Sequence, residues 1–128
     1  MGRVTLDSSV LLAILYSGDV HHEAVVKHLT GRDDQFSISA ITLVETLMHA
    51  YKVSPRVGAK YKMAIDEAVK EIISLDEGVA LEASKVRAGT GLRTPDAIIS
   101  ATATLVGAEL WTLDRRLAKA HRGAVLIA

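Results

Sequence analysis

The stretch VTLDSSVLLAILYSG, Val4–Gly18, sets the fold. Val4 to Leu6 is a short apolar run that reads as a strand, and Asp7 follows it directly. SSVLLAILYSG then continues as a mostly apolar helix, opened by a serine cap and closed at Gly18. Strand, acid, apolar helix is the opening unit of a βα fold. The same order returns in ELWTLDRRL, Glu109–Leu117, where Glu109–Leu113 reads as strand and Asp114 opens a helix to His121.

Between these two units the pattern keeps alternating. HHEAVVKHL is an amphipathic helix with Ala24, Val25 and Leu29 on one side. Phe36–Ser39 is β-like, and Ser39 caps a helix running to about Lys52. Pro55 opens a helix carrying Met63, Ile65 and Val69, and Ile72–Leu75 is a short strand. Helices follow at about Glu77–Arg87 and Pro95–Val106, and Val125–Ile127 closes the chain as a last strand. Five short apolar strands separated by helices predict an α/β domain whose five-stranded sheet is mainly parallel and flanked by helices. At 128 residues, without repeats or a Pro/Gly/Ser linker, residues 1–128 are expected to fold as a single domain.

Composition narrows the chemistry. There are no cysteines, which removes disulfides and thiolate zinc sites and suits a reducing cytoplasm. No leader-like segment and no long apolar run appears, so the expectation is a cytoplasmic protein with no membrane contact. Fifteen basic residues balance fifteen acidic ones, which argues against binding nucleic acid by overall charge. The basic residues nevertheless cluster in acid-free runs: Lys52, Arg56, Lys60 and Lys62; Lys85, Arg87 and Arg93; Arg115, Arg116, Lys119 and Arg122.

In parallel α/β sheets the site lies beyond the carboxyl ends of the strands. Asp7 and Asp114 are delivered to that edge by the first and fourth strands. Asp96 joins them from LRTPDAIISATATL, Leu92–Leu105, where Thr94 suits the N-cap, Pro95 suits the first helical position and Asp96 falls in the first turn. By itself that acid is explained by the helix dipole, at about 0.3–1 kcal/mol. Glu45, in ISAITLVETLMHAYK, is a fourth acid, with Ile41 and Met48 as helical neighbours. Each has an ordinary reading as a cap, a turn residue or an exposed glutamate. Four acids converging on one crevice would raise one another's pKa unless a cation sat among them.

Oxygen ligands with no cysteine and no paired histidines favour Mg²⁺ or Mn²⁺ over zinc. One such ion, or a pair ~3.5–4 Å apart, activates water and stabilises in-line attack on a phosphodiester. With the four acids set aside as neutralised, fifteen basic residues face eleven acidic ones, a surplus of four positive charges suited to a polyanion.

These segments, LDSSVLLAIL, ISAITLVETL, LRTPDAIISATA and LWTLDRRLAK, resemble in order and spacing the PIN-domain ribonucleases, and among them the VapC-type toxins of toxin–antitoxin pairs. The resemblance spans nearly the whole chain. It implies a PIN-like fold, an acidic cluster holding Mg²⁺ or Mn²⁺, and endonucleolytic cleavage of RNA. It makes Asp7, Glu45, Asp96 and Asp114 the catalytic metal ligands. Thr112 and Ser9 become supporting hydroxyls behind them. Apart from the resemblance, the basic runs offer Arg87, Arg93, Arg115 and Arg116 as candidate contacts for substrate phosphate. Leu113 stands where many relatives carry asparagine, and Arg116 where they carry a further acid, so a second ion would lean on substrate phosphate. The implied partners are RNA, a cognate antitoxin docked along the first helices with a basic residue sent toward the acids, and a second copy of the chain.

Two other functions fit parts of the pattern. A PIN-like module that binds RNA or protein without cutting would be expected to lose acids, and all four are here. A phosphatase with a nucleophilic aspartate after its first strand normally has another aspartate two positions on, where this chain has Ser9. The five histidines are read as surface or packed residues, His49 included. Trp111 is read as core, and GTGLR, Gly89–Arg93, as a flexible turn lacking the lysine and hydroxyl of a phosphate loop.

Overall fold

The structure, a computed structural model, describes residues 2–127. In chain order the elements are β1 (Arg3–Leu6), α1 (Ser8–Leu15), α2 (His22–Leu29), β2 (Gln35–Ser39), α3 (Ala40–Val53) and α4 (Pro55–Ala68). Then come β3 (Glu71–Ile73), α5 (Glu77–Thr90), α6 (Thr94–Val106), β4 (Glu109–Thr112), α7 (Arg115–Ala120) and β5 (Val125–Leu126). The strands form one sheet in the order β3-β2-β1-β4-β5, and every pairing is parallel. The chain therefore winds outward from β1 in one direction, then returns to its other side. The reversal lies between β1 and β4, whose carboxyl ends form the crevice where open α/β sheets bind ligands.

Side-chain alternation along the strands feeds two cores. Val4, Leu6 and Trp111 face α1, α2 and α4, together with Val10, Leu11, Val25 and Ile65. Leu110, one residue from Trp111, faces the opposite layer of α5, α6 and α7 with Val79, Leu92, Ile99 and Leu117. Thr5 also faces away from Val4 and Leu6, and its hydroxyl pairs at 3.1 Å with that of its cross-strand partner Ser37. Both are buried, and the pairing offsets the cost of burying them. Seven consecutive residues of α6, Ala97–Ala103, are buried, because small side chains let this helix lie close against both sheet and α5. Trp111 is a core residue as expected, with its indole N–H donating to Glu109 at 2.6 Å and its ring edge-on to His28 and Phe36.

Several local expectations shift. Asp7, not a serine, caps α1, accepting from the Val10 N–H at 2.9 Å, and α1 ends at Leu15 rather than Gly18. Thr94 is the first residue of α6 and Arg93 the capping position, without a side-chain bond. The third strand is Glu71–Ile73, because Ser74–Asp76 turns into α5, where the Asp76 carboxylate caps Val79. Gly89 lies inside α5, and only Gly91, at φ 73°, is the turn residue of GTGLR, in the left-handed region that glycine allows. Ala24 and Met63 face solvent, and Val69 is the C-cap of α4.

Candidate metal centre

β1 ends at Leu6, so Asp7 lies at the lip of the crevice, and its backbone N–H still donates to the Trp111 carbonyl at 3.1 Å. Its side chain is buried at 4% exposure and does more than cap α1. Oδ1 accepts from Ser9 Oγ at 2.6 Å as well as from Val10. Oδ2 accepts a short hydrogen bond from the buried hydroxyl of Thr112, the last residue of β4. Thr112 Oγ1 accepts in turn from the Asp114 N–H at 2.9 Å, and Ser9 Oγ accepts from the Leu113 N–H at 3.1 Å. Two hydroxyls thus fasten the end of β4 to Asp7.

Asp114 caps α7, its Oδ1 accepting from the Arg116 and Leu117 N–H groups at 2.8 and 3.3 Å. Leu113 separates it from the strand, one residue more than expected. Glu45 comes from α3 and is half-buried. The buried face of α3 is Thr42, Thr46 and Ala50, with Glu45 to one side and Met48 exposed. Its Oε1 accepts from Ser8 Oγ at 2.6 Å. Ser8 is a residue that sequence reading missed. It sits beside Asp7 in the DSS run, but only the packing of α1 on α3 gives it a carboxylate to hold.

Asp96 in the first turn of α6 ties the group together electrostatically. Burial pushes its carboxyl above the usual aspartate range, Asp114 and Glu45 push it the same way, and Arg93 and Arg116 oppose them. Asp7 is also raised, chiefly by burial and less by Asp96, against hydrogen bonds from Ser9, Thr112 and Val10. Asp96 therefore senses each of the other three carboxylates at one end of the sheet.

Their donors are all oxygen, and Asp7 Oδ2 retains a lone pair beyond its hydroxyl contact, so the residues fit a hard divalent cation. Among the described residues no three Asp, Glu, His or Cys side chains already stand in a coordination set. The acids are close enough to repel and too far apart to ligate together without side-chain adjustment.

The arginines divide. Arg93 reaches Asp96 at 3.8 Å, and Arg116 stands in the first turn of α7. Arg115 is exposed on the same turn. Arg87 donates from Nε to Thr94 Oγ1 at 3.0 Å and lines an apolar cleft with Leu75 and Ile98. His49 is exposed and lines a separate apolar groove with Leu12, Tyr16 and Tyr61.

Comparison with known proteins follows the same geometry. A toxin–antitoxin complex from Klebsiella pneumoniae contains a chain 29% identical, with a TM-score of 0.77 and 95% of each chain covered. FitAcB from Neisseria gonorrhoeae gives 23% identity and a TM-score of 0.74 over 96% of each chain. Mycobacterium tuberculosis VapC20, described as a Sarcin-Ricin loop cleaving toxin, shares the fold at 14% identity and a TM-score of 0.79, over 98% of this chain and 99% of that one. No curated protein matches the chain by sequence. The PIN domain model matches residues 4–123, which include β1 from Val4 onward, β4 and all four acids, and the chain belongs to the PIN domain family.

Proposed function

We propose that the protein is a divalent-metal-dependent endoribonuclease of the VapC type, the toxin of a toxin–antitoxin pair, acting in the cytoplasm. The observation that carries this reading is the convergence of Asp7, Glu45, Asp96 and Asp114 on the crevice between β1 and β4. The fold of VapC20 and the toxin–antitoxin complexes among the similar structures support it.

In this proposal the four acids hold Mg²⁺ or Mn²⁺. The ion, when bound, lowers the pKa of water and offsets charge developing on the phosphodiester. The chain supplies the rest. Thr112 and Ser9 hydrogen-bond both oxygens of Asp7, and Ser8 hydrogen-bonds Glu45, which orients these two ligands. Arg93 and Arg116, now countering the acids, become free to face substrate phosphate once a cation takes that role. Arg115 adds charge at the same rim. Arg87 is a weaker candidate, since it is engaged with Thr94. A cognate antitoxin and a second copy of the chain are the proposed partners. The second reading is an RNA- or protein-binding module of the same fold that does not cut.

Purified protein incubated with a structured RNA pool and Mn²⁺ is expected to cut it, and EDTA and Asp96→Asn are each expected to abolish cutting. A folded protein that binds RNA but leaves it intact in Mn²⁺ would establish the binding module instead.

A further inference from the structure

A second cleft of about 370 Å³ adjoins the acids, lined by Ser9, Leu12, Asp19, His21, Leu113 and Asp114. It shares Ser9 and Asp114 with the crevice, so a polymer lying across the acids has this cleft as its next contact. Its far wall is the α1–α2 turn, which is built rather than loose. The Asp19 N–H donates to the Tyr16 carbonyl and the His22 N–H to the Asp19 carbonyl, each at 3.0 Å. The His22 ring meets the Ala13 carbonyl through Nδ1 at 2.6 Å, which ties α2 back to α1. The His21 N–H donates to Asp19 Oδ1 at 2.8 Å and holds that carboxylate in place. Asp19 Oδ2 has no hydrogen-bond partner among the described residues.

A carboxylate beside a proposed polyanion site repels phosphate, but with Oδ1 held by the turn its Oδ2 is open to a donor edge. RNA bases splayed from a single strand offer donors on their Watson–Crick edges. Guanine offers two adjacent donors, the N1–H and the exocyclic N2–H₂, matching a carboxylate. Adenine and cytosine offer one donor beside an acceptor, and uracil one donor between two acceptors. Leu12 and Leu113 supply apolar walls for the base faces, and the exposed His21 ring supplies a stacking edge.

Resting on the ribonuclease reading, we infer that this cleft is a base-specific subsite that takes a guanine of the RNA chain next to the cut, with Asp19 reading its donor edge. Asp19 and His21 are specificity residues here, separate from the four acids.

The test is binding, so that it stands whether or not the protein cuts. Fluorescence polarisation in Ca²⁺ compares a labelled five-nucleotide RNA with one central guanine in a uridine background against the all-uridine RNA. The guanine oligonucleotide is expected to bind about ten- to a hundredfold more tightly, the range of a good bidentate contact. Asp19→Asn is expected to erase most of that ratio while strengthening all-uridine binding, because a repelling charge is gone. A merely structural role for Asp19 would weaken both RNAs alike. Equal binding of the two RNAs by the unaltered protein, or a ratio that Asp19→Asn leaves unchanged, overturns the inference. So does 5′-GMP competing as well as the oligonucleotide, which would make the cleft a free-nucleotide site. Cleavage of the RNA pool in Mn²⁺, run in parallel, reports separately on the nuclease reading.

Discussion

Replacing Thr112 with valine tests the core of the site without changing its shape. Valine matches threonine in volume, so no cavity opens, and the loss is confined to one hydroxyl at 0% exposure. That hydroxyl donates to Asp7 Oδ2 and accepts from the Asp114 N–H at 2.9 Å. A hydrogen bond to a charged group contributes about 1.5–3 kcal/mol, while the Asp114 N–H, only half-buried, recovers part of its loss through water. The expected cost is about 2–3 kcal/mol. With a urea slope of roughly 1–3 kcal/mol per molar for a small protein, the unfolding midpoint falls by about 0.7–3 M. Because the Thr112 bond favours the ionised form of Asp7, the variant's Asp7 rises further and competes for a proton with any cation. Mn²⁺ affinity measured calorimetrically is expected to fall about 10- to 100-fold, as for the loss of a ligand's supporting hydrogen bond. Thr112→Ser, which keeps the hydroxyl, is expected to restore most of both. A variant within about 0.5 kcal/mol of the parent and with the same Mn²⁺ affinity would refute the assignment of Thr112 as the residue that positions Asp7.

Asp7→Asn is expected to raise the urea midpoint of the metal-free protein at pH 7. The Asp7 carboxyl is raised in the folded state, so the folded protein binds more protons than the unfolded one, and this cost is relieved as pH falls through the folded pKa. The gain over the parent should therefore shrink on acidification toward pH 4; a gain that grows would reverse the sign. His121, lowered by burial, has the opposite dependence, losing stability as pH falls through its unfolded pKa, and it cancels in the comparison. Ser8→Ala is expected to weaken Mn²⁺ binding several-fold with little change in stability, since the Ser8–Glu45 contact is only part-buried; unchanged binding would remove Ser8 from the site. Leu110→Ala, which removes core volume between β4 and the α5–α7 layer without removing a hydrogen bond to any of the acids, is expected to cost about 2–5 kcal/mol in urea unfolding while leaving Mn²⁺ affinity within twofold. A proportional loss of metal binding would show that the site follows global stability rather than local hydrogen bonds.

The element order was readable because strand and helix alternate with clear caps: Ser39 before α3, Ser54 and Pro55 before α4, and Gly107 after α6. Boundaries slipped where two residues compete for one role. Asp7 displaced a serine as the cap because it directly follows β1 and its carboxylate accepts from the Val10 N–H. Thr94 became the first residue of α6 instead of its cap, with its hydroxyl accepting from Arg87 seven residues back on α5.

Asp7, Asp96 and Asp114 stood out as candidates from their positions after strands and at a helix start, Glu45 from its place in ISAITLVETL, and the family of the chain from their order. Those are properties of periodicity and local capping, which a linear chain already contains. Which hydroxyl holds which acid was settled only in three dimensions. Thr112 meets Asp7 across 105 residues and Ser8 meets Glu45 across 37, because parallel pairing sets β4 beside β1 and α1 packs on α3. Equally, Asp19 and His21 are unremarkable in a loop of the sequence. Only the hydrogen-bonded turn between α1 and α2 swings them over the end of β4, where side chains from the two ends of the chain share one cleft.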